Sequence, residues 1–409
     1  MKILYAATWF PFPPTFGAKS RAFHLLSELA RKHEIALVSF ADVPIEPAWL
    51  QEMQRLCVRV DVVPSKPFEQ NRFKKALALF SPIPGFVASS YSHQMMALVK
   101  QVAVEWHPDC LLAWTFVTAP YILAARQLIG KPALFDSDNL MTQMLHEQIA
   151  SSTGLLQRLW RWLAWLKMKR YERSLFSKFD LNVLASPRDL ERVSQEFGLS
   201  AKKFAVVPNG INLVRNHPGL AVPKMRQLVF NGSITYGANF DAVDYFLREV
   251  WPLVLAREPD MHLSVTGSTQ DIDLSRFARS RNISFTGFID DIRPVIAGSG
   301  AVVAPLRQGG GTRLKILEAM ALGTPVISTS KGIEGLSAKD GVEVLIADNA
   351  RDFADAIMNL STNAELRTAL ATRARALVER YYDWSNIGQS LSSLLEGMSY
   401  SVTGTSHQL

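Results

Sequence analysis

Two successive series of short, hydrophobic, β-branched runs alternate with helical stretches along the chain. The first series has strand-like runs at 2–8, 34–40, 59–64, 109–115, 133–137 and 180–186. The second series has them at 228–231, 262–266, 283–286, 300–304 and 325–328. Residues 18–32 carry apolar side chains at helical spacing, which is typical of a helix that packs on a sheet. The alternation therefore predicts an α/β protein with two doubly wound, Rossmann-like domains, each built on a parallel sheet.

The chain is long enough for two domains, since its 409 residues are roughly twice the usual size of one. A loose connection that contains Pro218 and Pro223 separates the two series. The predicted parts are an N-terminal domain over 1–208, a linker over 209–227, a C-terminal domain over 228–380, a terminal helix over 381–398 and a frayed tail over 399–409. We expect the two sheets to face each other across a cleft, with ligands at the carboxyl ends of the strands, and the terminal helix to return to the N-terminal domain.

Composition and charge restrict the class of protein without choosing its partner. Hydrophobic residues make up 48% and charged residues 20%, which excludes a disordered or fibrous chain. The formal net charge of +7 is compatible with nucleic acid, anionic lipid or a polyanionic small substrate. Cys57 and Cys110 lie far apart, which excludes a disulfide scaffold and a CxxC metal site. The longest nearly apolar run, 110–125, is about four residues too short to span a bilayer. We expect a cytoplasmic protein.

A glycine turn between a strand and a helix is the strongest local motif, in the block PLRQGGGTRLKILEAMALGTP at 305–325. Glycines let backbone amides approach an anion closely, and the helix N-terminus adds its positive dipole. A cation in the first turn opposes that dipole, so Arg313 and Lys315 are better explained when a bound anion offsets the cost. Glu318 lies about 9 Å of helix rise beyond the turn, where a sugar hydroxyl would suit it. The candidate residues of this phosphate cradle are Gly309, Gly310, Gly311, Thr312, Arg313, Lys315 and Glu318.

The alternative interpretation is a plain glycine turn capped by Thr312, with Lys315 and Glu318 forming an ion pair on a solvated face. A second candidate cradle in the same half of the chain favours the anion. It follows the predicted strand at 228–231 and leads into another helix. Its candidate residues are Gly232, Ser233 and Asn239. Two glycine turns that converge on one cleft suit a diphosphate.

With these motifs, the chain resembles the GT-B fold retaining glycosyltransferases of family four, and most of all the bacterial exopolysaccharide-type sugar transferases. The shared motifs are GAKSR at 17–21 followed by His24, YERSLFSKFD at 171–180, VPNGIN at 207–212, the glycine turn at 232 and GTRLKILEA at 311–319. They span nearly the whole chain. The resemblance implies a nucleotide-diphosphate sugar as donor substrate, with its nucleotide held by the C-terminal domain and with no cofactor or metal.

The resemblance also implies how the diphosphate and the ribose are held. Glu318 matches the second glutamate of the family's paired-glutamate motif and would bind the ribose hydroxyls. The first glutamate should stand eight positions earlier, where this chain has Gly310. The Arg and Lys that many relatives carry after the first C-terminal strand are also missing. We therefore assign the neutralisation of the diphosphate to Arg313 and Lys315.

Three further donor contacts follow from the resemblance. Gly17 matches an N-terminal glycine loop close to the diphosphate. Phe288 and Ile289 match a turn whose backbone lies against the nucleotide base. For Phe288, a core aromatic at a strand end is an equally good interpretation.

The sequence FDSDN at 135–139 contains a D-x-D pattern, which in another glycosyltransferase fold would hold a metal. The GT-B resemblance implies no such metal, and an aspartate pair after a strand is typical of turns and helix caps. We expect Asp136 or Asp138 to face the cleft and to orient the attacking hydroxyl. His146 is interpreted as a surface or capping residue.

Tryptophans and basic residues share the helical stretch 155–170. They are Trp160, Trp162 and Trp165 with Arg158, Arg161, Lys167, Lys169 and Arg170. This composition is typical of an interfacial membrane helix. One alternative is a helix that packs its apolar side on the N-terminal domain. Another is single-stranded nucleic-acid binding, which no recognised motif supports. We expect peripheral contact with the inner face of an anionic membrane, where a lipid-linked acceptor would lie.

The sequence thus predicts a retaining, metal-independent glycosyltransferase of polysaccharide biosynthesis. It would move a sugar from a nucleotide-diphosphate sugar to a hydroxyl of a glycan or a lipid-linked oligosaccharide. The alternative is a non-catalytic GT-B scaffold that binds nucleotide or glycan in a polysaccharide-assembly complex, which Gly310 motivates. A sugar-nucleotide epimerase would need acid–base pairs that the sequence does not place. Nucleic acid is not an expected partner.

Overall fold

The computed structural model describes residues 1–41, 43–64, 81, 83–150, 154–277, 282–309 and 313–404. The chain forms two compact units. The first consists of Met1–Pro208 together with the C-terminal helix, and the second consists of Asn209–Asp383.

The N-terminal unit is built on a parallel sheet of seven strands in the order β3-β2-β1-β4-β5-β6-β7. The strands are β1 (Lys2–Ala7), β2 (Glu34–Ala41), β3 (Arg59–Pro64), β4 (Cys110–Trp114), β5 (Ala133–Ser137), β6 (Leu181–Leu184) and β7 (Phe204–Val206). The middle strands are buried over most of their length because hydrophobic clusters cover both faces of the sheet.

Helices connect these strands and supply both hydrophobic layers. They are α1 (Gly17–Leu29), α2 (Pro47–Leu56), α3 (Gly85–Ser89), α4 (His93–Trp106), α5 (Thr115–Ile129), α6 (Met141–Ala150), α7 (Leu155–Lys178) and α8 (Pro187–Phe197). Their ends follow local sequence: Ser92 and Ser186, for example, accept hydrogen bonds from backbone N–H groups in the first turns of α4 and α8. A short 3₁₀ turn, Ala201–Lys203, leads into β7.

The C-terminal unit contains a parallel sheet of six strands in the order β10-β9-β8-β11-β12-β13. The strands are β8 (Lys224–Asn231), β9 (His262–Thr266), β10 (Ile283–Gly287), β11 (Ser299–Ala304), β12 (Val326–Ser328) and β13 (Leu345–Ile346). The helices are α9 (Gly237–Tyr245), a π-helical turn (Phe246–Val250), α10 (Trp251–Leu255), a 3₁₀ turn (Leu274–Arg276), α11 (Arg293–Ala297), α12 (Leu314–Ala321), α13 (Ala350–Thr362) and α14 (Ala364–Tyr381). Two hydrophobic clusters again enclose the sheet.

The last helix, α15 (Trp384–Gly404), returns to the N-terminal unit and packs on α1. Trp384, Ile387 and Leu391 join the hydrophobic cluster that contains Leu25 and Leu29 of α1. The His24 ring stacks on Trp384 with centroids 5.2 Å apart, and His33 Nε2 lies 2.7 Å from Ser392 Oγ. The predicted return of the terminal helix is confirmed.

The predicted α/β class and the eleven predicted strands are confirmed, and every strand pair described is parallel. The sequence analysis missed β7 and β13, which have three and two residues. Strand β8 begins at Lys224, inside the segment predicted as a linker. The prediction of a frayed tail was wrong for residues 399–404, because α15 continues to Gly404. Residues 405–409 lie outside the part of the chain that the structure describes.

Both sheets reverse their strand order beside the first strand of the series, between β1 and β4 and between β8 and β11. The loops that leave two such strands turn to opposite faces of the sheet, which opens a crevice at their carboxyl ends. The predicted glycine turns follow β8 and β11, and the predicted Gly17 lies in the connection that leaves β1. The topology therefore places candidate residues at the crevice of each sheet.

Candidate active site

The glycine turn after β8 closely approaches Lys315 of the phosphate cradle at 309–318. A Cβ atom at Gly232 would lie 2.6 Å from Lys315 Nζ and 2.9 Å from Asn239 Nδ2. Real Cβ atoms do not tolerate such distances, so a larger residue here would displace the ammonium or the amide. Gly232 thus permits a cation from α12 to reach the end of β8.

Lys315 is held in this position by two contacts. Its Nζ donates a 2.7 Å hydrogen bond to Asn239 Oδ1 and lies 4.4 Å from the centroid of the Phe230 ring. Burial, and then the positive charge of Arg313, lower the pKa of Lys315 to about 7. A bound anion would favour the charged form of this amine.

Asn239 links the two candidate cradles. Its side chain is buried at the start of α9, where Nδ2 donates to the Ser233 carbonyl at 2.7 Å while Oδ1 accepts from Lys315. Ser233 Oγ in turn donates to the Ser268 carbonyl in the loop after β9. The predicted residues Ser233 and Asn239 therefore shape the turn and orient the lysine.

The second glycine turn meets the first at the beginning of α9. Gly309 has a φ of +95°, a left-handed conformation that suits glycine, and a Cβ there would lie 3.1 Å from Ala238 Cβ and 3.2 Å from Tyr236 Oη. The buried Arg313 closes the turn by donating from Nη2 to the Gly309 carbonyl at 2.6 Å. The predicted Gly310, Gly311 and Thr312 lie outside the described residues.

Glu318 lies one turn further along α12, with its carboxylate partly buried. Burial raises the pKa of Glu318 to about 7. A hydrogen bond of 3.3 Å from Asn231 Nδ2 to Oε2 and the charge of Arg293 oppose this rise in the pKa, while Asp291 adds to it. The carboxylate is therefore near its midpoint at neutral pH, and a hydroxyl donor would favour the ionised form.

The alternative of a solvated Lys315–Glu318 ion pair is wrong. Both side chains are partly buried, and each has its own amide partner on a different element. Lys315 pairs with Asn239 of α9, and Glu318 pairs with Asn231 of β8. The two charged groups are therefore held separately, each by its own asparagine.

Asn231 is a residue that the sequence analysis missed. It ends β8, is buried, and donates from Nδ2 to Glu318 and, at 3.4 Å, to the Lys315 carbonyl. Its Oδ1 is buried without a hydrogen-bond partner in the described part of the chain. The only sequence signal was a polar amide at the end of a buried strand, directly before Gly232.

The loop after β10 contains the predicted base contacts. Phe288 follows the last strand residue, Gly287, and is 75% exposed, so the alternative of a core aromatic is wrong. Ile289 is partly buried. The Gly287 carbonyl accepts a 2.9 Å hydrogen bond from the Gly267 amide, which ties this loop to the one after β9. An exposed aromatic side chain therefore stands at the carboxyl edge of the sheet.

In the N-terminal unit, the structure corrects the role expected for Asp136. Its carboxylate accepts hydrogen bonds from Arg21 Nη2 at 2.8 Å and from Arg21 Nε at 3.0 Å, and both side chains are buried. Arg21 comes from α1 and Asp136 from β5. This pair joins a helix to the sheet, so Asp136 is not available to orient an attacking hydroxyl.

The other predicted residues of this unit lie at the carboxyl ends of β1 and β5. Asp138 is buried just beyond β5, and Gly17 is the first residue of α1. His146 is exposed on α6, with its ring centroid 5.8 Å from that of Trp165. The predicted surface position of His146 thus holds, with Trp165 as its neighbour.

Thr115, which the sequence analysis did not single out, has a strained backbone. It follows β4 with a φ of +69°, which is uncommon for a β-branched residue. Its Oγ1 lies 2.7 Å from Thr8 Oγ1, at the end of β1. Strain of this kind often marks functional positions, and here it lies at the strand-order reversal of the N-terminal sheet.

Among the described residues, few side chains are placed to bind a metal ion together. Within that part of the chain, no group of three or more His, Cys, Asp and Glu side chains is placed to hold an ion. The first aspartate of the D-x-D pattern is already paired with Arg21. The residues therefore do not fit a D-x-D metal site.

Two family models match the chain. The one described as Glycosyltransferase Family 4 matches residues 16–215, and the one described as Glycosyl transferases group 1 matches residues 225–363. An uncharacterized 44.6 kDa protein in the cps region of Klebsiella pneumoniae is 20% identical over 95% of this chain and 98% of that protein. A GDP-mannose-dependent monoacylated alpha-(1-6)-phosphatidylinositol monomannoside mannosyltransferase of Corynebacterium glutamicum is 26% identical over 55% of this chain and 64% of that protein.

A solved structure extends the likeness to both units. The crystal structure of Anabaena HepE in complex with UDP and glucose matches with a TM-score of 0.68 and 16% identity, over 97% of this chain and 100% of that chain. This likeness concerns the fold, and the two family models cover most of both units. The chain therefore belongs to the GT-B fold glycosyltransferases of the family-four type.

Proposed function

We propose that this glycosyltransferase takes its sugar from a nucleotide-diphosphate donor bound at the carboxyl ends of β8 and β11. The observation that carries the proposal is the pairing of Lys315 with the glycine turn after β8. A partly buried ammonium, a buried guanidinium and the N-terminus of α12 adjoin that turn, and Glu318 lies one turn deeper. The solved relative with bound UDP and glucose supports a donor of this class.

The geometry suits the departure of a diphosphate. As the bond to the sugar breaks, negative charge grows on the leaving phosphate, and preorganised donors stabilise that charge most in the transition state. Lys315 and the N-terminus of α12 supply such donors. Arg313 supports them indirectly, because its guanidinium closes the second turn and its charge adds to the positive field. The family resemblance implies that the transferred sugar retains its anomeric configuration.

We further propose that the acceptor is a hydroxyl of a glycan or a lipid-linked oligosaccharide. Incubation with a panel of labelled nucleotide sugars and such acceptors tests both halves of the function. Transfer of label to the acceptor supports it. Saturable binding without transfer or hydrolysis would favour the non-catalytic scaffold that Gly310 motivates, and interconversion of donors would favour an epimerase.

Changing Glu318 to alanine should weaken binding of the nucleoside diphosphate by about 1.5–3 kcal/mol, the range for a lost hydrogen bond to a charged group. Among the residues that the structure describes, the carboxylate accepts one weak hydrogen bond, from Asn231 Nδ2 at 3.3 Å, which leaves it able to bind the ribose hydroxyls. Calorimetric titration with nucleotide measures the effect. Glu365→Ala, at an exposed carboxylate of the same unit, is the matched control. Equal nucleotide affinities of the wild type and Glu318→Ala would show that Glu318 does not bind the nucleotide.

Sugar transfer should continue after divalent ions are removed with EDTA. The expected reason is that Lys315, Arg313 and backbone amides neutralise the diphosphate, while Asp136 is occupied by Arg21. Initial rates in EDTA and in added manganese are the measurement. Loss of sugar transfer in EDTA that added manganese restores would contradict this prediction and would favour a metal held by the D-x-D pattern.

The first half of α7 presents apolar and basic side chains to solvent. Leu155 is 87% exposed, Trp160 47% and Trp162 45%, whereas Trp165 is partly buried beside Lys169. The alternative of a helix that covers its tryptophans against the sheet thus fails for Trp160 and Trp162. None of the described helices is long and apolar enough to cross a bilayer. We propose that residues 155–170 of α7 lie at the inner surface of a membrane.

Binding to anionic vesicles should therefore be measurable at low salt and should weaken as ionic strength rises. Each basic residue near an anionic surface contributes about 1 kcal/mol, and salt screens that contribution. A variant with four basic residues changed to Gln should bind at least about tenfold more weakly by co-sedimentation. The changed residues are Arg158, Arg161, Lys167 and Lys169.

A control variant removes the same charge elsewhere on the N-terminal unit. It changes four exposed lysines to Gln, namely Lys32, Lys100, Lys131 and Lys202. The control should keep vesicle binding close to that of the wild type, and both variants should keep nucleotide affinity. Absence of vesicle binding by the wild type, or equal losses in the two variants, would show that α7 is not a membrane contact.

A further inference from the structure

The first turn of α1 carries a buried lysine. Lys19 is 7% exposed, and within the described part of the chain its ammonium forms no hydrogen bond or ion pair. Its Nζ lies 5.6 Å from the centroid of the Phe16 ring. Arg21, two residues later and also buried, has the Asp136 carboxylate at 2.8 Å. A buried charge without a partner is costly, and a cation–π contact offsets only part of that cost. Lys19 therefore lacks the anion that Arg21 has.

The N-terminus of α1 lacks a negative group as well. Phe16, at the N-cap position, makes no side-chain hydrogen bond to the helix, and the first turn contains no Asp or Glu. The first backbone hydrogen bond runs from the Ser20 amide to the Phe16 carbonyl at 2.9 Å, which leaves the amides of residues 17–19 without an acceptor among the described residues. Such amides and the helix dipole favour an anion, whereas a cation in the first turn is unfavourable.

These two observations point to the same ligand. The contact of Lys19 Nζ with the N-cap ring of Phe16 holds the ammonium at the N-terminal end of the helix, beside the unpaired amides. One bound anion would pair the buried charge, accept from the amides and offset the cost of a cation in the first turn. The N-terminus of α1 is therefore a binding site for a carboxylate or a phosphate.

Aromatic side chains adjoin this end of α1. Phe16 is 45% exposed, and its ring centroid lies 5.6 Å from that of Trp9. The Trp9 ring lies 5.5 Å from that of Trp114, at the end of β4. These residues follow or end β1 and β4, between which the strand order reverses. Exposed aromatic surface can pack against the C–H face of a sugar ring, so its position beside a cation suits a sugar that carries an anionic group.

We propose that Lys19 and the N-terminus of α1 bind an anionic group of the acceptor glycan, a sugar carboxylate or a sugar phosphate, with the sugar ring against Phe16. The proposed donor site has its own cation, Lys315, and its own helix N-terminus in the other unit. The resemblance implies that Gly17 lies close to the donor diphosphate, which makes that diphosphate the competing occupant. The inference deepens the proposed function, on which it rests, because it names an acidic glycan as the acceptor class.

Three methyl glycosides are the probes for NMR titrations of the full chain: methyl glucuronide, the 6-phosphate of methyl glucoside, and neutral methyl glucoside. Both anionic probes should bind at least about tenfold more tightly than the neutral one, because each gains a hydrogen bond to a charged group. The difference should shrink as ionic strength rises. Tighter binding of the carboxylate would identify a uronate and tighter binding of the phosphate a sugar phosphate, and either result supports the site. Equal affinities for all three probes would overturn it.

Lys19→Met should reduce the affinity for both anionic probes to that for the neutral probe. Lys32→Met, at an exposed lysine of the same unit, is the matched control and should keep the wild-type preference. Lys19→Met should also keep the wild-type affinity for UDP. Weaker UDP binding with unchanged binding of the anionic glycosides would assign Lys19 to the donor and overturn the inference.

A second variant keeps the test valid if Lys19→Met does not fold. Ala18→Asp places a carboxylate in the first turn of α1, where it favours the helix and competes with a bound anion. This variant should lose the preference for the anionic probes and should unfold at a higher temperature than the wild type. A preference for anionic probes that persists unchanged in Ala18→Asp would overturn the inference.

Sugar transfer is measured separately with neutral and acidic glycan acceptors. Transfer with equal KM for both acceptors, without Lys19-dependent binding of anionic glycosides, would overturn the anion site alone. Lys19-dependent binding of anionic glycosides, in a protein that transfers no sugar from any donor, would support the site and overturn the proposed function.

Discussion

Replacing Asp136 by asparagine should lower the free energy of unfolding by about 3–5 kcal/mol. The carboxylate is buried and accepts hydrogen bonds from Nε and Nη2 of the equally buried Arg21 guanidinium. Removal of this negative charge leaves a buried guanidinium that the neighbouring Asp138 compensates only in part. Urea denaturation followed by circular dichroism measures the change.

The double variant Arg21→Met with Asp136→Leu is the matched control. Replacing both partners of a buried ion pair by apolar residues of similar volume is often neutral or stabilising, so the double variant should recover most of the lost stability. We expect this recovery of stability if the Arg21–Asp136 pair has only a structural role. If Asp136→Asn kept the wild-type free energy of unfolding but lost transfer activity, Asp136 would act on the substrate instead.

The sequence predicted the sheets well because the relevant signal is local. Buried parallel strands are short runs of β-branched and aliphatic residues, and those runs can be recognised without knowing their neighbours. Strand β13 escaped because Leu345–Ile346 is too short to make such a run. The pairing of Asp136 escaped for a different reason: its partner Arg21 lies 115 residues away, and a D-x-D pattern contains no information on that contact.

The candidate donor site shows the same division between local and distant information. The glycine turn, the cations of α12 and Glu318 are within one short motif, and the resemblance assigned them roles. What orients them comes from elsewhere in the chain: Asn239 is 76 residues from Lys315, and Asn231 is 87 residues from Glu318. Spacing along the sequence could therefore predict which groups meet the ligand, but not that each is held by an asparagine or that burial moves both pKa values.

Replacing Lys315 by methionine should lower kcat/KM for the nucleotide sugar by about 10²- to 10³-fold, the usual loss when one preorganised donor to a developing charge is removed. Methionine keeps much of the length of the side chain, so packing against Phe230 is largely preserved. Initial rates at varied donor concentration give the change. Lys339→Met, at an exposed lysine of the same unit, should have no such effect.

The pH dependence of kcat/KM provides an independent test of the same lysine. The pKa of Lys315 is lowered to about 7, and only the protonated amine neutralises the diphosphate, so activity should fall as pH rises through that value. The pKa of Glu318 is raised to about 7, and only the carboxylate accepts hydrogen bonds from the ribose, so activity should also fall as pH drops through it. We expect a bell-shaped profile with its maximum near neutral pH.

Lys315→Arg separates the two limbs of this profile. A guanidinium stays charged across the range, so the variant should lose the alkaline limb and keep the acidic one, at reduced activity because its geometry differs from that of an ammonium. Glu318→Gln should do the converse, losing the acidic limb. An alkaline limb that persists unchanged in Lys315→Arg would assign it to another group, and Lys315→Met activity within tenfold of the wild type would exclude Lys315 as the main stabiliser of the departing diphosphate.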